Sequence, residues 1–258
     1  MHEGHFAGGS IYSGQLEDIA KELQCLGYFV LIGDYRLAPC GLIEGQTVHS
    51  ESTQAGRDSG RPVQQKNDIK SLIRAARNDT RVGKLGVLGG SSGATHAAWV
   101  AIDQTSSNVW PVWNKNLRPD AVACLSGAYD FSDRSMPGFR QDDFVQKIEN
   151  YTDTCVRSEQ RELSIVRKIE TSPTDIKPIF AFNCDDEAMP VSQIGDLTCA
   201  LQSKGVSSSL YQTLIIPDNH HHAFQYWHDW DGVMPVGDAP TLTIASHVID
   251  FFDTHLKH

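Results

Sequence analysis

The stretch Leu85-Gly86-Val87-Leu88-Gly89-Gly90-Ser91-Ser92-Gly93-Ala94-Thr95-His96-Ala97-Ala98-Trp99 decides how the rest of the chain is read. A short apolar run enters a serine turn flanked by glycines and leaves it as a helix over roughly 92–103. G-x-S-x-G between a strand and a helix is a nucleophile elbow. Glycines two before and two after the serine permit a strained turn and close packing of strand on helix. The spacing makes neither G-x-G-x-x-G nor a P-loop with its lysine, so a phosphate cradle is the weaker reading.

Working outward, apolar runs alternate with helical periodicity. Leu16, Ile19, Ala20, Leu23 and Leu26 share one helical stripe, stopped by Gly27. Tyr28-Phe29-Val30-Leu31-Ile32 reads as a buried strand, and residues 40–61 as the longest loop. Pro62 opens a second helix with Ile69, Leu72, Ile73 and Ala76 inward. Further strands are expected at 121–125, 178–182 and 210–216, and a last helix carries Ala245, Val248, Ile249, Phe252 and Leu256. Such alternation implies an α/β fold, a mostly parallel sheet with helices on both faces. The length suits a single domain, residues 1–258, with 133–172 reading as a helical lid insertion.

Composition narrows the partners. The 258 residues carry 22 Lys+Arg against 32 Asp+Glu, a net charge of -10, which argues against nucleic acid and anionic membranes. No run reaches the length of a membrane span, and no signal peptide is visible, so a cytoplasmic location is expected. A homo-oligomer is left open. The six cysteines are widely spaced without a CxxC pair and read mainly as structural thiols. His220-His221-His222 is a poor metal site, because adjacent side chains of an extended segment point to opposite sides. No metal and no cofactor is expected.

A serine hydroxyl needs a base to take its proton and an acid to orient that base. In elbow folds the chain order is Ser, Asp/Glu, His, with each group at the end of a strand. Asp185-Asp186-Glu187 follow the strand at 178–182, and His220-His221-His222 follow the strand at 210–216. Singly, these are a solvated acidic turn and a surface loop. Together with the elbow they form a catalytic set.

Over practically its whole length the chain resembles the α/β-hydrolases, close to the hormone-sensitive-lipase-like and feruloyl-esterase-like serine carboxylesterases. His2-Glu3-Gly4-His5 stands where that family has His-Gly-Gly-Gly, and Asp34-Tyr35-Arg36-Leu37-Ala38-Pro39 matches its DYRLAP stretch. Asp68 matches an acidic helix position, Asp186 the acid of a D-x-x-V-P pattern, and His222-Ala223-Phe224 the segment of the base. The resemblance implies Ser91 as nucleophile, His222 as base and Asp186 as its orienting acid. It also implies backbone donors from Gly4, His5 and Ser92 at the oxyanion. Asp185 and His221 stand as alternatives one residue away. Trp227 and Trp230 are candidate substrate contacts, while Asp34 and Arg36 read as structural.

The implied activity is hydrolysis of small carboxylic esters through an acyl-enzyme. His5 and Glu3 replace glycines, and the bulk of His5 points to short acyl groups. A peptidase or amidase on the same scaffold and a silent binding protein are the alternatives. The family has a further strand delivering the chain into the His2 segment, between the strands at 28–34 and 85–89. The expectation is therefore a sheet lacking its usual N-terminal strands, with that gap filled by preceding sequence or by a partner chain.

Overall fold

The computed structural model describes residues 1–12, 14–39, 59–103, 118–136, 138–172, 175–184, 188–216, 221–229, 231–232 and 241–257. Among the described residues, four strands form one parallel sheet in the order β1-β2-β3-β4. They are β1 (Gly86–Gly90), β2 (Ala121–Leu125), β3 (Ile179–Cys184) and β4 (Tyr211–Ile216). The helices are α1 (Gly14–Cys25), α2 (Pro62–Asn78), α3 (Ser92–Ile102), α4 (Phe139–Thr152), α5 (Arg157–Leu163), α6 (Ile165–Thr171), α7 (Ser192–Ser203) and α8 (Ile244–Leu256).

The period-2 side-chain alternation of a strand splits the core cleanly. Val122 and Cys124 of β2 face a cluster built from α2, α3, α6 and α7. Ala121, Ala123 and Leu125 face the opposite cluster, built from α1 and α8. Burial on both faces is why β2 and β3 read as continuous apolar runs. The α/β sheet with helices on both faces is therefore present.

Helix α1 buries Leu16, Ile19, Ala20 and Leu23, while Leu26 lies beyond its end and is exposed. Pro62 occupies the first turn of α2, where its missing N–H costs nothing. Helix α7 was not singled out by the sequence; Gly195 and three hydroxyl residues dilute its apolar stripe of Ile194, Leu197 and Leu201. The segment 133–172 folds as α4, α5 and α6. Ile165, Val166 and Ile169 of α6 join the main core, whereas Phe144, Ile148 and Tyr151 of α4 pack on Phe6.

The segment 28–32 differs from expectation. It is extended, yet it joins no ladder, and Phe29 and Leu31 are 43% and 56% exposed. Its other side, Tyr28, Val30 and Ile32, rests on the α1–α8 cluster. Between this segment and the outer edge of β1 lies a cavity of about 410 Å³, lined by Tyr28 to Ile32, Leu85, Leu88 and Leu256 and also by Arg81, Lys84 and Lys257. At its end Met1 N donates to Leu88 O at 2.7 Å.

The long loop expected at 40–61 falls mostly on residues outside the described set. Among the described residues, no helix is long and apolar enough to cross a membrane, and no cluster is arranged to hold a metal ion. The described cysteines form no disulfide.

Candidate active site

Ser91 sits between β1 and α3 with φ +50 and ψ -117, a backbone that a non-glycine residue adopts only under constraint. The constraint is visible. Ser91 N donates to Leu125 O at 2.8 Å, and Ser91 O accepts from Thr95 N at 3.1 Å, so the turn is tied to β2 and to α3. A Cβ on Gly89 would fall on the Gly93 carbonyl. A Cβ on Gly93 would come within 2.5 Å of His2 O and 2.7 Å of Met1 O. The two glycines therefore allow the elbow to close and the N-terminal strap to lie against it.

That strap, residues 2–9, folds around its own carbonyls. Gly4 O accepts from Ala7 N at 3.0 Å and Gly8 N at 2.7 Å, and His5 and Phe6 take φ of 45 and 66. The imidazole of His2 is buried and stacked on Tyr35 at 4.1 Å. Its Nδ1 lies 2.8 Å from Glu3 O and its Nε2 2.8 Å from Asp34 Oδ1. Burial pulls the His2 pKa down, and Asp34 opposes that shift. The Tyr35 hydroxyl donates to His2 O at 3.3 Å and lies 2.9 Å from Ser92 Oγ. With the phenolic proton given to His2 O, Ser92 is the donor to the phenol.

Arg36 grips Asp68 with its Nε and Nη2, each at 2.8 Å, a bidentate pair joining this segment to α2. Asp34 and Arg36 thus both anchor this segment, Asp34 through His2 and Arg36 through Asp68.

The third arm comes from the end of β4. His222 is half-buried and precedes the short helix Ala223–Tyr226. Ala223 N donates to Ser126 Oγ at 3.1 Å, and the Phe224 ring packs on Gly90, where a Cβ would meet it at 2.9 Å. His222 is therefore carried on a segment anchored both to the end of β2 and to the residue before Ser91. Among the hydrogen bonds of the described residues, none joins Ser91 to His222. His221 is exposed, and its Nδ1 pairs with Asp229 Oδ2. Asp229 was not singled out by the sequence, because the pairing depends on the turn at 223–226.

Asp185, Asp186 and Trp230 lie outside the described residues. Trp227 departs from the expected role as a substrate contact. It is 3% exposed, belongs to the α1–α8 core, and its indole N–H donates to Glu22 Oε2 at 2.8 Å. The helical turn at 223–226 swings it away from any open surface.

Sequence reading also missed Asp130, Gln193 and Arg161, which organise the loop after β2. Gln193 Oε1 accepts from Tyr129 N and Asp130 N, while Asp130 pairs with Arg161. No single-sequence signal marks such a network.

No family model matches the chain, and no curated protein matches it by sequence. Solved structures do match. The chain is similar to esterase B from Lactobacillus rhamnosis, with 19% identity over 99% of this chain and 74% of that one, at a TM-score of 0.66. It is similar to an acetyl ester-xyloside bifunctional hydrolase from Caldicellulosiruptor lactoaceticus, with 18% identity over 83% and 71% of the two chains and a TM-score of 0.59. A propionate-bound thermophilic esterase from Thermogutta terrifontis matches with 18% identity over 86% and 71%, at a TM-score of 0.56. The chain thus has the fold of these esterases, the α/β-hydrolase fold.

Proposed function

We propose that the protein is a serine carboxylesterase acting on small esters with short acyl groups. The single observation that carries the reading is Ser91, held at φ +50 on a buried elbow with the His2–Gly9 strap laid against the start of α3. Ser91 Oγ attacks the ester carbonyl, His222 takes its proton, and the same imidazolium later protonates the leaving alcohol. Asp186 orients His222 and stabilises its cationic form. Backbone N–H groups of Gly4, His5 and Ser92 receive the oxyanion, where losing one donor costs on the order of 100- to 1000-fold in rate. Water then attacks the acyl-enzyme with His222 as base.

The fold likeness to esterases supports ester hydrolysis. An acetyl ester hydrolase and a propionate-bound esterase among them agree with the short acyl group that His5 suggests. Helix α4 packs on Phe6 of the strap, which supports a lid over the acyl side of the site.

Hydrolysis of aryl esters of increasing acyl length, by wild type and Ser91→Ala, tests the reading. Activity confined to wild type and falling with chain length is expected. Ordinary activity in Ser91→Ala overturns it. Paired variants fix the other two arms: Asp186→Asn against Asp185→Asn, and His222→Ala against His221→Ala. If His221→Ala is the damaging member, the base is His221 on Asp229.

A further inference from the structure

His5 and Phe6 adopt consecutive left-handed conformations, φ 45 and 66, without glycine at either position. Two such residues in a row persist only where their surroundings hold them. The ring of Phe6 is fixed by stacking on Tyr151 at 3.8 Å and by an edge contact with His96 at 5.6 Å. Its carbonyl is held twice, by Ala38 N at 2.8 Å and by Gln65 Nε2 at 2.8 Å.

Gln65 is fully buried on α2. Its Nε2 also donates to Gly60 O at 2.8 Å, so both amide protons are taken up. Its Oε1 must then accept, and the donor is His96 Nε2 on α3, 2.9 Å away. That assignment leaves one tautomer for His96, neutral with the proton on Nε2. The same conclusion follows from burial, which pulls the pKa of His96 down to about 3. His96 Nδ1 is buried with no hydrogen-bond partner among the described residues, so a second proton has no acceptor there.

We propose that Gln65 is a positioning residue: its amide, oriented by His96, pins the Phe6 carbonyl and thereby aims the His5 amide at the oxyanion. The chain of contacts runs from α3, which begins beside Ser91, through α2 to the strap, and returns to the same site. It couples the two sides of the oxyanion hole without touching substrate. This assignment rests on the esterase reading above.

The test compares Gln65→Leu, Gln65→Glu, His96→Phe and His96→Gln with wild type on a short-acyl aryl ester. The readouts are kcat, KM and inhibition by an aryl trifluoromethyl ketone, whose serine adduct carries the oxyanion. Gln65→Leu is expected to lower kcat about 10- to 100-fold, less than outright removal of a donor. KM stays essentially unchanged, and inhibition weakens in parallel with kcat. Gln65→Glu, close in shape but able as a buried neutral acid to donate only one of the two hydrogen bonds, shows the same split in weaker form. His96→Phe loses part of kcat, and His96→Gln, whose amide nitrogen reaches the position of Nε2, recovers most of it.

The proposal is overturned if folded Gln65 variants keep wild-type kcat and ketone affinity. It is also overturned if kcat and ketone binding track only the loss of thermal stability, since that is mere packing. If Gln65→Leu does not fold, the His96 pair decides: equal kcat in His96→Phe and His96→Gln overturns it. Ser91→Ala separates this failure from that of the esterase reading. Activity that survives Ser91→Ala removes both, whereas activity lost in Ser91→Ala but intact in Gln65→Leu removes only the positioning role.

Discussion

The two edges of β1 make opposite use of similar sequence. On one edge, Gly86 to Gly90 pair with Ala121 to Leu125 in unbroken parallel register, and β2 is buried from end to end. On the other, Tyr28 to Ile32 run extended and apolar across a cavity of about 410 Å³, joining no ladder. Both stretches have strand-like composition. A strand is a relation between two backbones, and apolar β-branched or aromatic residues supply only half of it. Where the second backbone is present, burial is complete. Where it is not, Phe29 and Leu31 face outward.

This contrast can be broken at several points, and the largest effect lies just past β1, in the first turn of α3. Gly93→Val places side-chain atoms against the backbone of His2 and Met1 and forces the strap from the elbow. Ester turnover is expected to fall on the order of 1000-fold, as when oxyanion donors are lost. Retained turnover in that variant means the strap is not part of the site. Next comes the paired edge itself. Leu125→Ala, at 0% exposure, should cost about 2–5 kcal/mol in urea unfolding.

The third effect depends on pH. His96 is held neutral to about pH 3 in the folded protein, against an ordinary value of 6.5 when unfolded. Between these values the unfolded chain binds the extra proton, so stability is fully present above about 6.5 and is lost as pH falls. The slope is about 1.4 kcal/mol per pH unit from this group. His96→Gln, which does not titrate, should show a shallower decline over that window; identical slopes in the two proteins refute the assignment. The smallest effect belongs to the open edge. Leu31→Ser should change stability by no more than about 0.5 kcal/mol, and a loss comparable to that of Leu125→Ala would show the cavity side to be packed as firmly as the paired side.

Much of the fold was legible because doubly covered parallel strands leave a strong trace. Residues 121–125 and 178–182 are continuous apolar runs, and both are strands in the interior of the sheet. Helix α7 escaped because Ser192, Gly195 and Thr198 interrupt its stripe. The segment 28–32 misled because composition records affinity for a sheet and says nothing about a neighbour. At the site, the strained turn at Ser91 was legible from G-x-S-x-G set between a strand and a helix. Trp227 was misjudged because proximity to His222 in sequence does not survive the turn at 223–226. Gln65 and His96 were invisible for a different reason. Their roles come from contacts 59 and 31 residues apart, fixed by how α2, α3 and the strap cross.

The hydroxyl of Ser126 has a mechanical consequence. Ser126 stands at the end of β2 with φ 54, its N–H on Phe182 O of β3, and its oxygen takes the N–H of Ala223. The segment bearing His222 is thereby tied by a side chain to the next strand but one, beside the contact of Phe224 with Gly90. Its position is referred to the middle of the sheet, where Ser91 N also finds its acceptor, Leu125 O. Exchange of the Ser126 hydroxyl for a hydrogen would remove that common reference while leaving the ladder between β2 and β3 in place.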